Sequence, residues 1–264
     1  MKYWKRYIAM KIGEREYKAP LTMTFQSYFN ISGKYETTAN IFNPSEETIA
    51  NVAPASSLQN ITIEAGYEKD HGVCILGEIY DYSVLSQDSE TVLSLKIGDA
   101  TTNWATKLIN KTWAKNSKAS QMVEDIANAL GLNKGKIQVG EDIAYSRETS
   151  FITEARKALK QMALETNSHF FVRNGRLYFQ PKTDQGIQTG IQLSASSGLL
   201  DKPEKINIEN NESWKIKSLF NYKIGAGENI EVQSATFSGT AKVIRGFHNY
   251  DIKEGYTEIE VMPL

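Results

Sequence analysis

Apolar residues recur at two different spacings along this chain, and the switch between them divides it into parts. A spacing of two places alternate side chains on one face of a strand, whereas a spacing near 3.6 makes a stripe along a helix. Spacing two governs both ends. Residues 21–26, 61–67 and 92–97 alternate apolar and polar, and 8–12 followed by Gly13-Glu14 and 15–17 reads as a hairpin turned at Gly13. After Pro203 the same spacing returns at 205–208, 214–217, 229–232, 241–244 and 257–261. Between the early strands, residues 43–50 read as a turn leading into a short helix.

The middle obeys the other spacing. Ala119, Met122, Val123, Ile126, Ala127 and Leu130 fall three and four apart, with Gly131 placed to end the helix in a left-handed conformation. A second helical face carries Ile152, Ala155, Leu159, Met162 and Ala163, with Asn167 near its end. Then residues 169–173 and 176–180 flank Asn174-Gly175, the pair a type I′ hairpin turn favours because both central positions need positive φ. Strands and helices do not alternate as a doubly wound sheet requires. The fold class expected is α+β and β-dominated: two similar small β-barrel domains at 1–100 and 203–264, an inserted α+β module at 101–183, and a Gly-, Ser-, Thr- and Gln-rich linker at 184–202.

The two β-rich ends also echo one another. Ile63-Glu64, Gly72, Gly77, Tyr82 and 91–95 are matched by Ile230-Glu231, Gly239, Gly246, Tyr250 and 257–261, with gaps that hairpin loops absorb. A chain with two such repeats lets a cyclic trimer present six equivalent positions around an axis.

The order of several short motifs resembles a known family. Residues 218–234 resemble "LLNP-x-I-x-PG-x-x-I-x-V-x-S" through Leu219, Phe220, Asn221, Ile224, Gly227, Ile230, Val232 and Ser234, and Gly239, Val243 and His248 fit the "G-x-x-x-V-x-x-x-x-H" that follows. Residues 197–204 look like a "G-L-I-G-x-P-E" entry to the last domain, and 117–132 and 170–179 look like the family's central helix and hairpin. These belong to the baseplate hub or tail-tip tube proteins of phage tails and phage-derived particles, including late control protein D-like hubs of contractile tails. Tyr222 and Ala226 depart from the pattern where the family has proline. The resemblance implies a homotrimeric ring at the distal end of the tail tube, with the tube protein above, a spike or tail-tip protein below and other baseplate proteins around it. It implies a virion-tail location after assembly in the bacterial host cytoplasm.

No catalytic, cofactor-binding or metal site is expected. His71, His169 and His248 lie far apart without carboxylate or cysteine partners at ligand spacing, and His248 is expected to serve as a structural or interface hydrogen-bonder. Glu46/Glu47 and Glu124/Asp125 are neighbours whose side chains diverge, unsuited to flanking one glycosidic bond. Gly225-Ala226-Gly227 lacks the Lys and Ser/Thr of a phosphate loop and reads as a turn. The single cysteine, Cys74, sits in an apolar strand and is expected to be a buried, inert thiol. A formal net charge of -1 argues against nucleic-acid binding. The basic N-terminus lacks the apolar stretch of a signal peptide, and no run approaches the ~20 residues of a membrane span, so no stable membrane insertion is expected. An enzyme is therefore not expected. The alternative is a carbohydrate- or receptor-binding module at the tail tip, for which thirteen Tyr and four Trp supply the aromatic surface. A peptidoglycan hydrolase would need a catalytic constellation that is not visible.

Overall fold

The computed structural model describes residues 5–31, 36–52, 59–87, 90–98, 106–208 and 211–264. It divides into two compact units, one made of Met1–Asn30, Tyr35–Asp99 and Gln185–Leu264, the other of Ile31–Lys34 and Ala100–Asp184.

The first unit is one 13-stranded sheet with a short helix. Its first half holds β1 (Arg6–Ile12), β2 (Arg15–Lys18), β3 (Met23–Asn30), β4 (Glu36–Phe42), α1 (Glu46–Val52), β5 (Gln59–Tyr67), β6 (Asp70–Gln87) and β7 (Glu90–Gly98). The expected hairpin is present, with Ile12 opposite Arg15 and Gly13 at φ 56, the positive angle a two-residue loop needs at its first position. Ser45 Oγ accepts the Thr48 N–H at 3.1 Å and starts α1.

The second unit is small and helical at its centre. It comprises β8 (Leu108–Trp113), α2 (Ala119–Leu130), β9 (Asn133–Ile137), β10 (Thr149–Glu154), α3 (Ala155–Glu165), β11 (Ser168–Arg173) and β12 (Arg176–Pro181). All six apolar residues that marked α2 are buried, and Gly131 ends the helix at φ 69. Asp142 Oδ1 accepts the Ser120 N–H at 2.9 Å and satisfies one of the free amides of the first turn. Asn174 and Gly175 have φ 48 and 68, as the type I′ turn demands. The helices pack on the hairpin through Met122, Ile126, Leu159, Met162, Leu177 and Phe179, each worth about 1.5–3 kcal/mol when fully buried. The second helix starts later than its periodicity suggested. Ile152 lies on β10 with 79% of its surface exposed, because the β-branched run Thr149–Glu154 pairs with β8 instead.

The chain then returns to the first unit with β13 (Ile187–Ser194), β14 (Glu204–Ile208), β15 (Asn211–Leu219), β16 (Glu228–Gln233), β17 (Ser238–Tyr250) and β18 (Gly255–Pro263). Residues 184–202, expected as linker, therefore contain a strand. β13 runs parallel to β16 and buries Ile191 and Leu193, a two-residue alternation hidden by the polar composition around it.

The two halves of this sheet repeat. One reads β3-β4-β7-β6-β5-β1 and the other β14-β15-β18-β17-β16-β13. The registers agree: Ala39 of β4 faces Leu95 of β7 as Trp214 of β15 faces Val261 of β18. The outer hairpins end on matching pairs, Tyr28 with Glu36 and Ile208 with Asn211. Burial follows, since Ile41, Leu93 and Leu95 are buried like their counterparts Ile216, Ile259 and Val261. The repeat is imperfect outside the echo read in the sequence, and one detail within that echo differs. β1 is antiparallel to β5 whereas β13 is parallel to β16. Gly246 pairs with Ile259, whose counterpart Leu93 pairs with Val84, so Gly77 is not Gly246's equivalent on that side. Both glycines are nevertheless required by close approach: a Cβ at Gly77 would lie 2.0 Å from the Gly98 carbonyl oxygen, and one at Gly246 would lie 2.8 Å from that of Glu258. Among the described residues no ladder joins the two ends of either half.

Candidate functional site

The two halves meet where β17 passes its partner edge from one strand to another. Residues 238–242 of β17 pair with β16, and from Arg245 to Tyr250 the same edge pairs with β3. Aromatic side chains fill the seam: Phe25 stacks on Tyr250 at 5.5 Å, and Phe220 meets both Tyr250 and His248 edge-on at 4.8 and 5.3 Å. The Tyr250 hydroxyl lies 2.9 Å from the Tyr7 carbonyl and 2.8 Å from that of Gly66, and burial raises its pKa. Arg6 donates to the carbonyls of Asp251, at 2.7 Å, and Ile252. Side chains thus tie the end of β17 to β1 and β5.

His248 belongs to this seam. Its Nε2 lies 3.0 Å from the Ile224 carbonyl, which can only accept, so Nε2 carries the proton. Nδ1 accepts from Thr257 Oγ1 at 2.9 Å, and that oxygen accepts the Asn221 N–H at 3.1 Å. The residue fixes the loop before β16 against β17 and β18. His71 is half-buried, stacked on Tyr7 at 3.9 Å with Glu64 3.8 Å away, and His169 is buried beside Phe171 in the second unit. The structure does not bring the histidines together, and among the described residues no group of three His, Cys, Asp or Glu could hold a metal ion.

Three of the four carboxylates in these pairs are held by separate cations. Glu47 binds Arg15 at 2.7 Å, and Arg15 lowers its pKa. Asp125 binds Lys111 at 2.8 Å and accepts the Trp113 indole N–H at 2.7 Å, while Glu124 pairs with Lys134. Lys111 and then Trp113 hold the Asp125 carboxyl below its usual range. The Gly225-Ala226-Gly227 turn is spent on the sheet: Gly227 donates to Val243 at 2.9 Å and accepts from Ile187 at 2.7 Å. Cys74 is buried, donates to the Ile63 carbonyl at 3.2 Å, and burial pushes its thiol pKa up. Tyr222, one departure from the family pattern, lays its ring on Gly72, where a Cβ would come within 2.5 Å. Its neighbour Lys223 reaches Asp70 at 3.2 Å. A cleft of about 290 Å³ opens over the seam beside Tyr28 and Phe247, but its carboxylates Glu258 and Glu260 are held by Lys215 and Arg245.

Among the described residues, exposed large apolar side chains are most numerous on one strand. Val73, Leu76, Tyr80, Tyr82, Val84 and Leu85 of β6 are all exposed, Leu85 by 62%. From Asp81 to Ser86 every residue faces solvent. The sequence reads as an apolar strand up to Tyr82 and a polar turn before Thr91, whereas β6 continues to Gln87; an alternation cannot show that both faces of a strand are bare. Trp113 and Trp214 pack on Phe151 and Phe237, and Trp4 and Trp104 lie outside the described residues. The surface suits protein contact better than chemistry.

The sequence profile of the baseplate hub gp41 family matches residues 36–239. The chain belongs to this family. No curated protein sequence matches this hub-family member. Among solved structures its fold is similar to the 43 kDa tail protein of prophage MuSo2 from Shewanella oneidensis, with TM-score 0.70, 10% identity and 98% of each chain covered. It is similar also to the Escherichia coli c3393 protein, a type VI secretion component described as resembling the T4 tail proteins gp27 and gp5. That match has TM-score 0.72 and 13% identity, covering 97% of this chain and 76% of the other. The tail protein of Neisseria meningitidis MC58 matches with TM-score 0.67 and 9% identity, covering 98% of this chain and 96% of the other. The hub-family member is thus a phage-tail-associated structural protein with a tail-protein fold. Among the described residues no helix is long and apolar enough to cross a membrane.

Proposed function

We propose that this chain assembles as a homotrimeric ring at the distal end of a tail tube, joining the tube to the spike or tail-tip protein. The observation that carries the reading is the repeated strand order, β3-β4-β7-β6-β5-β1 and β14-β15-β18-β17-β16-β13, within one chain. Three copies of a twofold repeat present six similar positions, which suits a platform between a sixfold tube and a threefold tip. Each half acts as a barrel-like domain, residues 1–100 and 185–264, with 101–184 as a module carried between them. The partners are other tail and baseplate proteins, met in the host cytoplasm during assembly, and the work done is contact and not catalysis.

Exposed Tyr28, Tyr80 and Tyr82 favour a second reading, a carbohydrate- or receptor-binding surface. Light scattering across concentration, with negative-stain images, separates the two. A three-copy mass and a ring with a central hole supports the hub. A strict monomer that binds glycan overturns it in favour of the second reading.

A further inference from the structure

Within one chain, the edge of β17 beyond residue 242 is occupied by β3, the outer strand of the other half. The strand equivalent to β17 is β6, and the strand equivalent to β3 is β14. β6 behaves as β17 does over its first part: residues 70–79 pair with β5, and from Glu78 onward its other edge pairs with β7. From Tyr82 to Ser86, however, the edge that β5 has left carries no strand among the described residues. The outer edge of β14 carries none either, since β14 ends the strand order.

Open strand edges in proteins that act alone are blunted by charge, proline or bulges. Here they are not. Residues 82–86 are Tyr, Ser, Val, Leu and Ser, and the nearby Asp81 is held by Lys96 at 3.1 Å. On β14, Lys205 is held by Glu212 at 2.7 Å, and the strand ends in Ile206, Asn207 and Ile208. Among the described residues the chain therefore contains one junction of this kind filled from within, and both strands of a second with no partner strand at this edge.

We propose that β14 of a neighbouring copy pairs antiparallel with β6 from Leu85 to Gln87, head to tail around the ring. This inference rests on the ring reading above and names the strands that close it. The register follows from the repeat. Phe247 and Tyr28 face each other in the filled junction, their rings 4.5 Å apart. Their equivalents are Leu85 and Ile208, followed by Ser86 opposite Asn207. The contact is heterologous, one copy's β6 against the next copy's β14, so it closes only as a ring.

The test uses the full chain with Leu85→Cys or Ile208→Cys, mixed and oxidised, and compared with each variant oxidised alone. Facing Cα atoms in an antiparallel pair lie about 4.5–5.5 Å apart, within disulfide range. Buried Cys74 gives no competing bridge. The expected result is a covalent dimer band in the mixture, absent from either variant alone and lost on reduction. A chain carrying both cysteines is expected to give a covalent trimer. The pair Ser86→Cys and Asn207→Cys repeats the measurement with side chains of little packing value. A three-copy mass with no cross-link at either pair, or Leu85→Cys cross-linking to itself, overturns the edge pairing and leaves the ring. A monomer at every concentration with no cross-link overturns both.

Discussion

Replacing His248 by phenylalanine keeps a ring of similar size between Phe29 and Phe220, whose centroids lie 4.9 and 5.3 Å from the imidazole, and removes both ring nitrogens. The site is 2% exposed, so water cannot take their place. The Nε2–H bond to Ile224 and the Nδ1 bond to Thr257 each contribute about 0.5–1.5 kcal/mol net, which gives a loss of about 2 kcal/mol. For a unit of this size that lowers the unfolding temperature by roughly 4–8 °C. Scanning calorimetry of the purified chain reads this directly. Thr257→Val breaks the same relay from the other side, by removing the hydroxyl between His248 and the Asn221 N–H. The two losses are therefore expected to be non-additive, with the double variant less destabilised than the sum. A His248→Phe chain melting within about 1 °C of the parent, or additive losses, would refute the view that His248 is a structural hydrogen-bonder.

Gly77→Ala forces a methyl carbon to within 2.0 Å of the Gly98 carbonyl oxygen, so the β6–β7 ladder must move. A cost of about 1–3 kcal/mol is expected in the urea midpoint. Asp125 has its folded pKa depressed by Lys111 and Trp113, so its contribution is present above the unfolded value near ~3.9 and is lost as pH falls through the folded one. The melting temperature followed from pH 6 downward is expected to drop below about pH 4, and less steeply in Asp125→Asn. Cys74 should not react with a thiol reagent in the native chain, and one thiol per chain should react in denaturant, read by absorbance.

Elements carried by local rules were legible in the residues. The helix 119–130 follows from its apolar stripe and Gly131, and the hairpins at Gly13 and Asn174-Gly175 from backbone angles few other residues adopt. The absence of clustered histidines was read from sequence distance, and the fold places His71, His169 and His248 in unrelated surroundings. Where two local rules compete, spacing alone does not decide the element. Residues 149–154 carry both a helical spacing and β-branched side chains, and pairing with β8 settled the matter. At 187–194 a buried alternation lay inside a polar, glycine-containing stretch that also fits a loop.

Periodicity and turn chemistry act over a few residues, so the sequence could report the β-rich ends, the helical middle and their resemblance to tail hubs. Which strand lies beside which is decided by contacts between residues hundreds of positions apart. Arg245 to Tyr250 facing Asn30 to Phe25 is invisible to any local pattern. So are the repeat's true register, with Leu93 opposite Val84, and the bare edge of β6. An apolar run looks the same in sequence whether its neighbour is the chain's own strand or one that another molecule must supply.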